Sequence, residues 1–427
     1  MSACLDSLEY WTIQDFLQPM FINDQLMNTK TILAGVVWAQ ACLGSTVAQI
    51  TIPSDGSDGA LIVAAGEIKV IHLDQAITGG WDTNNVAHAG QGVYDPAKWA
   101  VVFKYSSMDI QGTVTFSNHP SRAPVVWLVQ GDVKISGVVN LSGQAPFMDT
   151  DALVAVEPGP GGFRGGPAGP QGGGFGMGPG GGGPGQRFGV YATSYGNPQI
   201  VPLIGGSGGV GSSSSTIIGG GAGGGAILIA SRGEIELNGA ILALGSAGTY
   251  PVLGLGIYGS GGAVRLIASK VTGTGRINAH ADGAASETRA DGRIRIEAAE
   301  LSEDLTLVPE TIAVVPANPP IIWPPDSAPA VRVLRVDGVD SPAEPTAPLR
   351  RVADISLQND KPVEVILEST NFPLEGIVEL RVAHKFAGGA GWLHATYVSG
   401  DFSRALWKVN RQFPGGFSVL QARATLP

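Results

Sequence analysis

Short runs in which apolar and polar residues alternate, three to six residues long and broken by glycine or polar positions, recur along the middle of the chain. Ile277, Ala279 and Ala281 fall on one side and Arg276, Asn278 and His280 on the other. Ile294, Ile296 and Ala298 alternate in the same way with Arg293, Arg295 and Glu297. A period of two is that of a strand buried on one face.

These runs come in sets of three. Ala123–Gly143, Gly224–Gly245 and Gly261–Ala281 each hold three β-prone runs in about 21 residues, and a partial copy runs from Asp291 through Leu307. Similarity over whole three-strand units, with few Asn-Gly or Asp-Gly hairpin turns, predicts one coil of a parallel β-helix per unit rather than a stack of hairpins. Glycines such as Gly239 and Gly275 fall at the corners, where a positive φ would let the chain turn. Residues 50–122 are more aromatic, with Trp81, Tyr94, Trp99, Phe103, Tyr105 and Phe116, and read as first coils plus a cap over the open end.

The pattern breaks twice. Residues 145–225 are a low-complexity tract, with sixteen glycines among the 28 residues from Pro158 to Gly185. Their spacing is not every third residue, so a collagen helix is not indicated; a long loop or insertion leaving one coil is, either flexible or packed as extended glycine-rich strands. Prolines then cluster over residues 309–330, which reads as a stiff linker. Beyond it, longer strand-like runs at Val363–Glu368, Ile377–Ala383, Leu393–Val398 and Phe417–Ala424 predict a small β-sandwich over 331–427. The predicted fold is therefore all-β: a parallel β-helix over 49–308 followed by that sandwich.

Composition agrees with a folded chain, 44% apolar and 15% charged, and glycine is the outlier at 63 of 427 residues. A net charge of −10 with no basic block or zinc spacing argues against nucleic acid as a partner. Met27-Asn-Thr-Lys30, the apolar run from Thr31 to Trp38 and the small residues up to Ala48 read as a secretory signal peptide, too short to span a bilayer. That reading places residues 1–26 upstream of the working start. Thr46-Val47-Ala48 offers the cut, with Ala39-Gln40-Ala41 as an alternative. Both cysteines, Cys4 and Cys42, precede the cut, so the exported chain would rest on burial and backbone ladders rather than disulfides. Ala39-Gln40-Ala41 before Cys42 lacks the leucine-like residue of a lipidation signal.

Candidate chemistry is sparse. Asp55 and Asp58, three apart among glycines, form part of a calcium-type loop, but two carboxylates are too few for calcium and the competing reading is an Asp-capped turn. No other cofactor is indicated. Asp282, Arg289 and Asp291 are the acidic and basic residues a β-helix polysaccharide lyase or hydrolase would use, around a turn where solvated charges are ordinary. Gly205-x-Ser207-x-Gly209 spells a hydrolase elbow and Gly219-x-Gly221-x-x-Gly224 a dinucleotide loop, yet neither is followed by a helical pattern. Trp392, Tyr397 and Trp407 could stack on sugars or simply fill the sandwich core.

The Gly-Gly-Ala-Val-Arg-Leu-Ile-Ala-Ser and Gly-Thr-Gly-Arg-Ile-Asn-Ala runs resemble glycine-rich, adhesin-like β-helix proteins exported by Gram-negative bacteria, over about residues 50–308. The resemblance implies a right-handed helix and a surface, adhesive or matrix role. The expectation is thus a non-catalytic structural protein, extracellular or on the outer cell surface. Its partner would be a matrix polysaccharide, a protein or further copies of itself. A polysaccharide-active enzyme and a carbohydrate-binding C-terminal domain are the alternatives.

Overall fold

The computed structural model describes residues 50–144, 156–167, 174–182, 192, 195–211, 219–247, 258–281, 290–343, 353–358, 361–384, 391–413 and 415–426. The signal-peptide region, Cys4, Cys42, Asp282 and Arg289 lie outside the described residues. Among those described, the regular elements are strands and two short 3₁₀ turns, and no helix is long and apolar enough to cross a membrane.

The N-terminal strands are β1 (Ala60–Val63), β2 (Ile68–His72), β3 (Ile77–Thr78) and β4 (Val93–Asp95). Three-strand units follow: β5 (Ala100–Tyr105), β6 (Ser107–Ile110) and β7 (Thr113–Ser117), then β8 (Val125–Val129), β9 (Val133–Ile135) and β10 (Val138–Asn140). Next come β11 (Ala226–Ser231), β12 (Ile235–Leu237) and β13 (Ala240–Leu242), and then β14 (Ala263–Ile267), β15 (Lys270–Thr272) and β16 (Arg276–Asn278). The last unit is β17 (Arg293–Glu297), β18 (Glu300–Leu301) and β19 (Thr306–Val308), with β20 (Ala313–Val314) after it.

Each unit gives one strand to each of three sheets. The first sheet runs β1-β6-β9-β12-β15-β18, the second β2-β7-β10-β13-β16-β19, and the third β3-β4-β5-β8-β11-β14-β17-β20. Every pairing in them is parallel except β4 with β5. The register aligns like with like, so Phe103, Trp127, Ile229, Leu266 and Ile296 form one column in the third sheet. Val114, Val139, Ile241, Ile277 and Leu307 form another in the second. These columns meet in a single core. A one-residue slip would turn each column outward, which is why the alternation fixes the register.

Corner glycines are needed for a reason other than the expected one. Gly112, Gly137, Gly239 and Gly275 have no positive φ; they stack, and a Cβ on Gly239 would fall on the Gly137 carbonyl. Close approach of successive corners, rather than a left-handed turn, excludes side chains there.

In the third sheet β4, β5, β8, β11 and β14 are buried on both faces, whereas β17 keeps the expected alternation at its start, with Arg293 and Arg295 partly exposed. Ile50 and Ile52 lie with Ile322 against Val102, Val126, Leu128, Leu228, Ala230 and Ile267 on the outer side of the sheet. Thr51 N–H donates to Asn318 Oδ1 (3.0 Å). The proline-rich stretch is thus packed onto the sheet. Lacking N–H donors, it suits covering a face better than extending an edge. Farther along, segment 195–204 covers the outward arginines: Arg293 donates to Ile204 O (2.7 Å), while Arg265, 3% exposed, pairs with Glu297 (2.7 Å).

After the parallel part come β21 (Ala330–Val336), β22 (Val339–Asp340), β23 (Val363–Thr370), β24 (Ile377–His384), β25 (Leu393–His394), β26 (Thr396–Gly400), β27 (Arg404–Arg411) and β28 (Ser418–Thr425). They make two antiparallel sheets, β22-β21-β23-β27-β26 and β25-β24-β28. Val365, Leu367, Trp407 and Val409 of one meet Val378, Leu380 and Val382 of the other in a second core.

Candidate functional site

Glycine-rich connections leave the second sheet and return to the third at three successive levels, after β10, β13 and β16. Their described parts pack on one another. Within 205–211, Gly206 and Gly209 N–H donate to Gly224 and Gly221 carbonyls, and Gly208 and Gly211 N–H to those of Met177 and Gly174. The Gly206 and Gly209 carbonyls accept from Phe163 and Gly166, and Ser207 O accepts from Ser260 N–H. Partners recur every three residues and lie on several neighbours, whereas a β-strand pairs in one plane with two. A three-residue period is that of a polyproline-II-type helix, whose backbone groups all point outward for bonding. Contacts are backbone to backbone, and a Cβ on Gly165, Gly176, Gly208 or Gly220 would fall on a neighbouring carbonyl. The tract expected to interrupt the fold is, where described, a hydrogen-bonded bundle.

Arg381 joins this bundle to the C-terminal sheets. It lies on β24, 2% exposed. Nη2 donates to Gly176 O (2.7 Å) and Gly178 O (3.0 Å), Nη1 to Gly181 O (3.1 Å), and Nε to Gln421 Oε1 (3.1 Å). The guanidinium lies over the Phe175 and Trp392 rings, at 5.4 and 4.7 Å. Burial, with the Arg423 charge nearby, lowers its pKa to about 10, still protonated at neutral pH. Phe175, Met177 and Ala383 fill the space around it, with Phe163 and Val419 beside them. Alternation in Ile377–His384 placed Arg381 opposite the Val378-Leu380-Val382 face, a position that ordinarily means solvent. Only the bundle makes it interior.

The carboxylate oxygens of Asp55 and Asp58 accept from protein donors. Asp58 Oδ1 takes Asn85 Nδ2 (2.7 Å) and Gly90 N–H (2.9 Å), and Oδ2 takes Lys104 N–H (2.7 Å). Asp55 Oδ1 takes Ser57 N–H (3.0 Å), and Oδ2 takes Lys104 Nζ (3.1 Å) and Asn84 Nδ2 (3.0 Å). Lys104, 3% exposed, also donates to the carbonyls of Thr83 (2.6 Å) and Asp82 (3.1 Å). The Lys104 ammonium thus pairs with Asp55, while Asp58 is taken up by the Asn85 amide and two backbone N–H groups. Burial pushes the Asp55 carboxyl up, but bonds from Ser57 and Lys104 outweigh it and hold the pKa at about 2. Lys104 was legible only as a lone charge in the apolar run Ala100–Tyr105. Among the described residues no group of three or more His, Cys, Asp or Glu side chains is placed to hold a metal.

Asp291 bonds through Oδ1 to His280 Nδ1, a half-exposed carboxylate–imidazole pair. Ser207 is completely buried in the bundle; its Oγ accepts from Gly180 N–H (3.0 Å) and its N–H donates to Ser260 Oγ (2.7 Å). Among the described residues no strand–turn–helix elbow surrounds it. Gly221 and Gly224 face other backbones. Trp407 is 4% exposed and donates to Ser369 Oγ (2.8 Å), and Trp392 is held between Arg381 and Arg423. Of the three aromatics proposed to stack on sugar, Tyr397 alone offers an exposed ring, 44% accessible.

Comparison with known proteins finds no matching family model, no matching curated protein and no matching solved structure.

Proposed function

We propose that the chain is an exported, non-catalytic structural or adhesive protein of the cell surface or extracellular matrix, built on a right-handed parallel β-solenoid with a C-terminal β-sandwich. The observation that carries this is the pairing of each strand with its counterpart one unit later through all three parallel sheets, with like residues in register. Such stacking gives length and stiffness, because every unit is bonded to both neighbours along its whole backbone. The buried glycine bundle and the Arg381 joint make the sandwich a fixed end rather than a tethered one. Export is supported by the run from Met27 to Ala48. Cell fractionation with N-terminal sequencing tests the reading: mature protein in the extracellular or surface fraction beginning at residue 49 is expected, and retention in the cytoplasm overturns it.

A second reading, a polysaccharide lyase or hydrolase, is favoured by one observation, the Asp291–His280 pair beside the third sheet. A broad panel of acidic polysaccharides decides it. Turnover abolished by Asp291→Ala supports the enzyme, and no turnover excludes it.

A further inference from the structure

The outer face of the third sheet changes character at β14. Val102, Val126 and Leu228 form one outward column, and the same column continues as Arg265 and Arg295. Arg293, two residues before Arg295, shares that face. Strand geometry places the Arg265 and Arg295 backbones about 5 Å apart and those of Arg293 and Arg295 about 7 Å apart. Like charges directly opposite one another destabilise a sheet. A single carboxylate meets the three guanidinium groups: Glu297 Oε1 accepts from Arg265 Nε (2.9 Å) and Nη2 (2.7 Å) and from Arg295 Nε (2.7 Å). Asp291, the acid just before β17, is bonded to His280.

Segment 195–204 satisfies hydrogen bonds here without cancelling charge. Ile204 O accepts from Arg293 Nη2 (2.7 Å), and the Tyr195 ring lies 5.3 Å from the Arg293 Cζ. Pro198 O is a long 3.4 Å from Arg295 Nη1. Burial lowers the pKa of both Arg265 and Arg293; Glu297 opposes this at Arg265, and no carboxylate does so at Arg293. Arg265 and Glu297 are closed off from solvent, but the Arg295 side chain is 23% exposed and Arg293 is partly exposed. Arg295 spends only Nε on Glu297, so its terminal Nη groups face outward with the Pro198 contact as their one bond among the described residues. What these two arginines lack is a charged acceptor. Guanidinium forks match the paired oxygens of a carboxylate. A chain of net charge −10 gives a free anion no long-range attraction. A polymer with an acid on every unit keeps further carboxylates beside the site once one has bound.

We propose that Arg293 and Arg295 bind the carboxylates of an acidic polysaccharide at the partly exposed end of the third sheet. The proposal rests on the surface reading only for its partner class; binding is measured on purified protein, so failed binding and failed export are separate results. Full-length protein is titrated with oligogalacturonate, inorganic phosphate and neutral dextran by calorimetry. Saturable binding of oligogalacturonate is expected, weakened by about tenfold or more when Arg293→Gln and Arg295→Gln are combined. Lys134→Gln with Arg411→Gln, the same change of charge at exposed positions elsewhere, is expected to leave it within about twofold. Phenylglyoxal labelling of the unaltered protein, mapped by mass spectrometry, keeps the test decisive if the double variant does not fold: oligogalacturonate is expected to shield Arg295. No binding, equal binding of dextran, equal weakening by the control pair, or Arg295 labelling unaffected by oligogalacturonate overturns the proposal. Binding of phosphate but not of oligogalacturonate overturns it too and assigns the arginines to a free anion.

Discussion

At the residue scale, two buried cations, Arg381 and Lys104, organise their surroundings through carbonyl oxygens, and Lys104 also pairs with the Asp55 carboxylate. Arg381 satisfies three glycine carbonyls and a glutamine. Arg381→Met leaves those acceptors in a dry interface, and a loss of about 3–5 kcal/mol is expected in chemical denaturation of the full chain. Arg381→Lys is expected to recover only part, since an ammonium cannot reproduce the planar fork. Asp55 and Glu368 give the acid dependence. Burial opposes the charge on Glu368, but bonds from Arg404 and Arg332 outweigh it and lower its pKa, while Asp55 stands at about 2. Folded values below the unfolded ones mean that their stabilisation is complete above the ordinary carboxylate range and is lost as pH falls through the folded values. Melting temperature should therefore hold down to about pH 5 and fall between there and about pH 2. In Asp55→Asn the part of that fall due to Asp55 should vanish.

At the element scale, the parallel strands were readable because alternation survives in runs as short as three residues when they repeat. Units β8–β10, β11–β13 and β14–β16 coincide with the repeats in sequence. The unit β5–β7 was harder to see, because Lys104 and the aromatics Phe103 and Tyr105 mask its likeness to its neighbours. Its place in the columns is fixed by pairing with β8. Glycine had two element-level roles that composition merges, stacked corners and a three-period bundle. Gly239→Ala and Gly208→Ala are each expected to cost at least about 2 kcal/mol, because the new methyl meets backbone rather than a movable side chain. Ser207→Ala should cost about 1–3 kcal/mol by removing the buried Oγ that accepts from Gly180 N–H. If Ser207 were instead a nucleophile, the substitution would abolish an esterase activity while leaving the melting temperature unchanged.

At the scale of the whole molecule, sheets and coverings interlock. The third sheet holds a core on its inner face and is roofed by Ile50, Ile52 and Ile322, brought from segments far apart in sequence. Replacing Ile322 with aspartate is expected to destabilise the chain by about 2–4 kcal/mol, measured as a shift in denaturation midpoint, and to expose the covering segment to proteolysis. A proline run read as a linker would tolerate that change. The sequence by itself determined the strand period, the repeat, the all-β class and the change to longer strands after residue 330, because these depend on local alternation and spacing. Tertiary structure decided which charges are interior, why the corners must be glycine, and where the glycine and proline tracts go. Segments without periodic side chains carry no local signal of their partners, and backbone groups bonded in three directions acquire their geometry only from the neighbours that surround them.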